Sequence, residues 1–268
     1  SIDTTQVFHS NHDIDIIDSN FYYSNVTMTQ TGDLSRRCLA RIIGNNFYYS
    51  PYKHLLSINS FPEFDITGNC LYNYQTAIWL NESGHGITNL VQDNVIKYNQ
   101  YGYGIEIYHS NAEIVGANDI SSNYIGIAGI RNSMVSVVGS ETSPYQSIHD
   151  NISSEVVFAA DSFPPTFKCN LIFDQLYGQD YLFKLVHSTS PRDYVIENNN
   201  WGESFYPPQD LYPYEYLHFE PTWDIGTPIE ELFDPIEEMF NTARYNMEVG
   251  NYLLSYDQFQ YIAEYADD

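Results

Sequence analysis

The sequence predicts an all-β protein, a parallel β-helix (solenoid) with a small C-terminal α-helical hairpin. Two observations carry the β-helix and a third carries the hairpin. First, five asparagines, Asn20, Asn46, Asn69, Asn94 and Asn118, recur at spacings of 26, 23, 25 and 24 residues, and Tyr22, Tyr48, Leu71, Ile96 and Ile120 follow each by two places. A drifting period near 24 belongs to stacked structural units rather than to heptads or long helices. Second, the segments between them are short apolar alternations of period two, with no room for the ten or so residues of a crossover helix. Third, the period changes to a helical one after residue 229.

In chain order, Val7-Phe8-His9-Ser10-Asn11 reads as a strand and a polar turn, and Ile14 and Ile16 alternate with acids before Asn20. Gly32-Asp33 marks a turn, and Arg36, Arg37 and Arg41 form a basic cluster. The pattern is clearest over residues 64–139. Phe64 to Leu71 runs into the ladder, and Ala77 to Asn81 is a second strand. The same order returns at Leu90–Ile96 with Gly104–Tyr108, and at Ile114–Ile120 with Ile125–Ala128. Short polar corners follow these strands: Asn81-Glu82-Ser83, His109-Ser110-Asn111 and Arg131-Asn132-Ser133. Asparagine suits such corners because it tolerates the left-handed backbone region. Stacked side-chain amides can also satisfy one another.

Residues 139–168 interrupt the period, with Ser143-Pro144 and Phe163-Pro164-Pro165 reading as longer loops, and Asn170 restores it. The β-helix is assigned to residues 1–202, closing at Asn198-Asn199-Asn200-Trp201-Gly202, where the Trp-Gly suits a lid over the apolar end. Residues 203–228, rich in Tyr and Pro, read as a cap or linker, because proline interrupts helix and inner strand alike. Residues 229–268 carry Leu232, Ile236, Met239, Phe240 and Ala243, then Tyr256, Phe259, Ile262 and Ala263, a helix pair with an acidic outer face.

Composition limits the partners. The 268 residues hold 35 acids against ten bases, a formal charge of -25. That excludes nucleic acid and anionic lipid, which need a positive footprint. Residues 202–268 alone carry 15 acids and one base, Arg244. Charged residues are 17% of the chain, so Asn, Ser, Thr, Gln and the 25 tyrosines must supply the polar surface. Cys38, Cys70 and Cys169 form no disulfide framework and no zinc pattern. No apolar run reaches the roughly 18 residues of a membrane span. The chain opens and closes in mid-pattern, which suggests a piece of a longer protein.

The Asn-x-apolar ladder, the Gly104-Ile105-Glu106-Ile107 strand, the Asn-Ser corners and the closing Asn-Asn-Asn-Trp-Gly resemble the right-handed parallel β-helix repeat proteins of the pectate-lyase-like superfold, and that resemblance implies a right-handed coil. In particular they look like the large secreted β-helix proteins of Bacteroidetes-like bacteria. Residues 239–265, with Gly250-Asn251-Tyr252 at the turn and Ser255 and Phe259 at packing positions, resemble one tetratricopeptide unit. The resemblance implies an extracellular or cell-surface setting. It leaves activity open, since this superfold hosts lyases, hydrolases, epimerases, adhesins and inert stalks.

Candidate chemistry is sparse. Gly84-His85-Gly86 matches one motif of polygalacturonase-like hydrolases, but of their other motifs the only Asp-Asp is Asp267-Asp268 at the terminus and the rest are absent, and inverting hydrolysis needs two carboxylates facing one cleft. A lyase would need acidic Ca²⁺ ligands and an Arg or Lys base; otherwise no cofactor is expected. His9, His109 and His187 read as the same corner of coils too far apart to share an ion. The candidate ligand site is a sugar-stacking strip of Trp79, Asn81, Tyr103, Glu106 and Tyr108. Asn25, Asn81 and Asn151 stand in glycosylation-type triplets. The leading expectation is a non-catalytic structural, filament or adhesive module. Its partners would be polysaccharide or other copies of itself, joined end to end or through the C-terminal helices. The alternative is a polysaccharide lyase, hydrolase or epimerase working in a surface cleft.

Overall fold

The computed structural model describes residues 4–10, 12–31, 38–48, 54–72, 75–175, 181–186 and 193–223, together with 240, 243, 244, 247 and 259. The chain divides into two compact units, Ser1–Trp223 and Asp224–Asp268. The first unit is the parallel β-helix that the period predicts. Seven successive coils each contribute one strand to each of three parallel sheets, and the first sheet gains two more. Among the described residues, the first sheet has nine strands and runs from Thr4–Ser10 to Leu211–Tyr212. The second has seven, from Ile14–Ile17 to Phe167–Lys168, and the third has seven, from Asn20–Tyr22 to Asn170–Phe173.

The inward positions stack in files, one residue per coil. Val26, Leu56, Ile78, Ile105, Ile127, Val156, Phe183 and Leu211 follow one another in register through the first sheet, all buried. Branched and aromatic side chains fill a pleated surface well. Each such burial stabilises the fold by about 1.5–3 kcal/mol relative to exposure. Where Phe158 needs space, Gly129 faces it from the neighbouring coil, and a Cβ there would come within 2.5 Å of its ring.

The asparagine ladder exists, with a register different from the expected one. The buried seat passes through Asn45, Asn69, Asn94 and Asn118. Each Oδ1 accepts the backbone N–H of the preceding seat at 2.9–3.0 Å and, from the same asparagine, the Nδ2 amide at 3.0–3.1 Å. The Nδ2 groups of Asn45, Asn69, Asn94 and Asn118 also donate to the carbonyls of Ile16, Ile42, Ile66 and Val91. Asn20 and Asn46 lie one residue beyond this seat, on the rim, joined only to each other at 3.0 Å in a side-chain pair. Their neighbours shift accordingly. Phe47 fills the core and stacks on Phe21 at 4.7 Å, while Tyr22 and Tyr48 stack outside at 5.0 Å. The dipeptide Asn45-Asn46 offered two registers, and burial chose the first.

Nor does the ladder break at residues 139–168. Gln146 takes the seat. It accepts from Asn118 Nδ2 at 2.7 Å and donates to Asn170 Oδ1 at 2.6 Å, and Asn170 Nδ2 continues to Asn199 at 2.8 Å. The longer amide spans the gap where Ser140–Tyr145 enlarges the coil.

Two further ladders line the remaining corners. Asn99, Asn123 and Asn151 form one, ending on the buried carboxylate of Glu155. Ser83, Ser110, Ser133 and Ser162 form the other, each hydroxyl accepting the backbone N–H one coil earlier at 2.9–3.2 Å. At most of these corners the left-handed residue is the one before the ladder seat: Gly44, Gly68, Asp93, Tyr98, Ser122, Asp150, Glu82, His109 and Asn132 all have positive φ, while at Asn118 it is Gly116, two places before. The ladder asparagines themselves do not need the left-handed region. His109 is such a corner residue; His9 lies inside strand Thr4–Ser10, in register with Thr29. His187, Arg36 and Arg37 fall outside the described residues.

At the far end Trp201 is buried against Phe167 and Phe205, with ring centroids 6.3 and 5.2 Å away, and Phe205 meets Phe219. Residues 203–223 belong to the same compact unit. Leu211–Tyr212 adds the ninth strand to the first sheet, and Leu217–His218 pairs with Tyr194–Val195. In the second unit Phe240, Ala243, Arg244, Met247 and Phe259 are helical, Ala243 is buried, and Phe240 and Phe259 meet edge to face at 5.5 Å. The remainder of the predicted hairpin lies outside the described residues. Among the described residues, no helix is long and apolar enough to cross a membrane.

Candidate functional site

The five strip residues come together on two neighbouring strands of the first sheet. Trp79 and Asn81 stand on Thr76–Asn81, and Tyr103, Glu106 and Tyr108 on Tyr103–Tyr108. Parallel pairing sets Trp79 opposite Glu106 and Asn81 opposite Tyr108. The pleat explains the facing. Ile78, Leu80, Ile105 and Ile107 point into the core, so Trp79, Asn81, Glu106 and Tyr108 point out; Tyr103, at the start of its strand, has the parity of the inward positions and is not placed by the pleat. Trp79, Asn81, Tyr103 and Tyr108 are half-buried, and Glu106 is recessed between them at 8% exposure. Burial, and then the charge of Glu106, push the Tyr103 phenol above its ordinary value.

Two residues missing from the predicted strip extend it. His54, one coil earlier, stacks on Trp79 with ring centroids 4.4 Å apart and planes 15° from parallel. Arg131, one coil later, donates to the Tyr108 hydroxyl and holds its guanidinium 5.3 Å from that ring's centre. Both lie about one repeat away in sequence, at 25 residues from Trp79 and 23 from Tyr108, and that spacing is the signal that could have found them. Asn81 Nδ2 continues the face by donating to Asn59 Oδ1 at 3.4 Å.

A second cluster went unnoticed in the sequence. On the third sheet, Lys97 Nζ lies 3.1 Å from Asp119, and His149 lies between Asp119 at 3.4 Å and Asp150 at 2.7 Å. The imidazole is 2% exposed and stacks on Phe173 at 4.7 Å. Burial alone would lower its pKa, but its hydrogen bonds to Asp119 and Asp150, with the charges of both, raise it to about 10. Asp119 is the converse. Burial raises it, and His149 and Lys97 together hold it well below the usual carboxylate range. Asp150 also accepts the Gln175 N–H at 2.7 Å. The cluster is a charge staple across successive coils, with His149 and Asp150 buried and Asp119 partly exposed.

The other candidate features resolve more simply. Gly84-His85-Gly86 is a turn between strands with His85 exposed, and a Cβ on Gly84 would strike the Asn111 carbonyl. Asn25 and Asn151 are buried and closed to a glycan, while Asn81 is at the surface. The three cysteines are free thiols. Among the described residues, no three His, Cys, Asp or Glu side chains gather as a metal site would require.

No family model matches the chain, and no curated protein and no solved structure matches it.

Proposed function

We propose that this chain is a non-catalytic β-helix module of the cell surface or extracellular space, structural or adhesive in role, which holds a glycan on the outward face of its nine-stranded sheet. The observation that carries the reading is the convergence of Trp79, Asn81, Tyr103, Glu106 and Tyr108 on two hydrogen-bonded strands, with His54 and Arg131 at the margins. Aromatic rings offer apolar faces to sugar C–H surfaces, and the Asn, Glu and Tyr groups beside them offer hydrogen bonds to hydroxyls. Of these seven residues only Glu106 carries a carboxylate, and Arg131 engages a tyrosine. A paired acid and base for glycoside cleavage is therefore not what the strip presents.

The test is a screen of the protein against immobilised neutral, amino and acidic glycans, alongside Trp79→Ala. Retention of at least one glycan class, weakened about tenfold or more by the substitution, is the expected result, since losing a stacked aromatic typically costs more than 1 kcal/mol. Retention of none, or retention indifferent to Trp79, would remove the reading. Release of unsaturated or reducing ends from any retained polymer would replace it with the enzymatic alternative.

A further inference from the structure

We propose that the open end of the first coil is a docking edge for an extended segment of another protein, one that sets an Arg or Lys in register with Asp15 and aromatic side chains in register with Phe21 and Tyr22. This surface lies apart from the glycan strip and does not depend on it.

Three observations at this end point to an incoming strand. Thr4–Ser10, Ile14–Ile17 and Asn20–Tyr22 each stand first in their sheet, with a neighbour on one side only among the described residues. Such an edge offers its outward N–H and C=O groups to a further strand. The side-chain stacks open here as well. Phe21 lies on Phe47 and Tyr22 on Tyr48, while Tyr22 is 60% exposed and Ile17 48%. Ser19 supplies the third sign. Its N–H donates to Asn45, and its hydroxyl donates to the Ile17 carbonyl at 3.0 Å. Ser83 and Ser110 hold their hydroxyls in the same way, on the carbonyls of Asn81 and Tyr108, and each also accepts a backbone N–H from the coil before. Ser19 is thus bonded like a ladder serine, at the place where an N–H from a preceding strand would arrive.

Charge identifies the kind of partner. Asp15, Arg41 and Asp65 follow one another in register along the second sheet, acid, base, acid, and Arg41 holds Asp15 at 2.7 and 2.9 Å. A base on the other side of Asp15 continues that alternation. A second copy of the chain suits the place poorly. Residues 1–31 hold four Asp and no Lys or Arg, so two such ends would bring like charges together. The far end of the unit is covered by Trp201, Phe205 and Leu211–Tyr212. The recess at the first coil is mixed, with Gln6, Asp15 and Ser19 beside Phe8, Ile16 and Phe21. An interface no more apolar than ordinary surface suits a partner that binds and leaves.

The probe is a synthetic peptide with the sequence of residues 39–48. Its Arg41, Asn45, Phe47 and Tyr48 are the residues that already meet Asp15, Ser19, Phe21 and Tyr22 from the inner side, so it presents the required chemistry to the outer one. The labelled peptide is titrated with the protein at moderate salt and followed by fluorescence anisotropy, and hydrogen exchange locates it. Saturable binding is expected, with new protection of the amides of Ile14–Ile17 and Asn20–Tyr22. Arg41→Glu in the peptide should weaken it about tenfold or more, the scale of one charge-assisted hydrogen bond, and N-methylation of alternate peptide amides should abolish it. In the protein, Tyr22→Ala should weaken binding, while Tyr212→Ala, exposed on the ninth strand, should not. Equal binding of a scrambled peptide would mean diffuse attraction of a base to an acidic chain and would overturn the proposal. So would protection at another edge, or no binding. A dimer of the protein alone in sedimentation velocity, abolished by Ile17→Lys, would give the edge to a second copy and overturn it too.

Discussion

His149 shows how one residue can bind several coils. Its imidazolium is buried between Asp119 and Asp150, and removing it leaves two carboxylates facing each other without their shared cation. Breaking a buried ion pair in this way typically costs about 3–5 kcal/mol, so His149→Leu is expected to lower the urea midpoint steeply. The pH dependence follows from the shifts. The folded pKa of His149, about 10, lies above its ordinary 6.5. Its contribution is therefore complete below pH 6.5 and drains away as pH rises through about 10. Asp119 behaves oppositely: its contribution is complete above its ordinary 3.8 and is lost in acid. Urea denaturation across pH should show a plateau between these limits, and His149→Leu should flatten the alkaline fall. An alkaline limb unchanged in the variant would show that His149 is not the group responsible.

At the scale of the element, the coil is specified by its ladder seats more than by its strands. Asn45 and Asn46 are adjacent in sequence and alike in chemistry, yet only Asn45 is buried in the ladder. Asn45→Ala would strip Ile16 of a donor and Ser19 of an acceptor. Each buried group left unsatisfied costs about 1–3 kcal/mol. Asn46→Ala should stay within about 1 kcal/mol, as half-exposed pairs do. Equal midpoint shifts in urea for the two variants would contradict the register described. The same contrast shows what the sequence disclosed. The period, the coil architecture and the juxtaposition of Trp79 with Glu106 were legible, because burial imposes a repeat that alternation reveals. The seat at Gln146 was not, because glutamine does an asparagine's work there only once the coil is enlarged. His149 and Arg131 were missed for a related reason: a charge partner one coil away is invisible until the register is known. The register was wrong in the first two coils: in the second, Asn45 and Asn46 stand side by side, and in the first, Ser19 rather than an asparagine precedes Asn20.

The whole chain carries a large excess of negative charge. Thirty-five acids against ten bases repel one another, and the ion pairs Arg41–Asp15 and Lys97–Asp119 relieve this only locally. Raising sodium chloride from about 10 to about 150 mM shortens the Debye length from roughly 30 to 8 Å. The melting temperature should therefore rise with salt, against the usual loss when surface pairs dominate stability. Differential scanning calorimetry would decide it, and a falling melting temperature would show that attractive pairs outweigh the net repulsion.

The ladders also have a direction. In each asparagine file the Nδ2 amide points to the next coil and the Oδ1 to the previous one. Every side-chain amide is a small dipole, and stacked in this sense they add, as peptide dipoles do along a helix. The file that begins at Asn99 thus carries partial positive charge at its far end, and there Glu155 receives the backbone and side-chain N–H groups of Asn151. A carboxylate suits that terminus and would be repelled at the opposite one, where the file opens with oxygen. The β-helix has an electrical polarity along its axis, written in which end of an amide file accepts an acid.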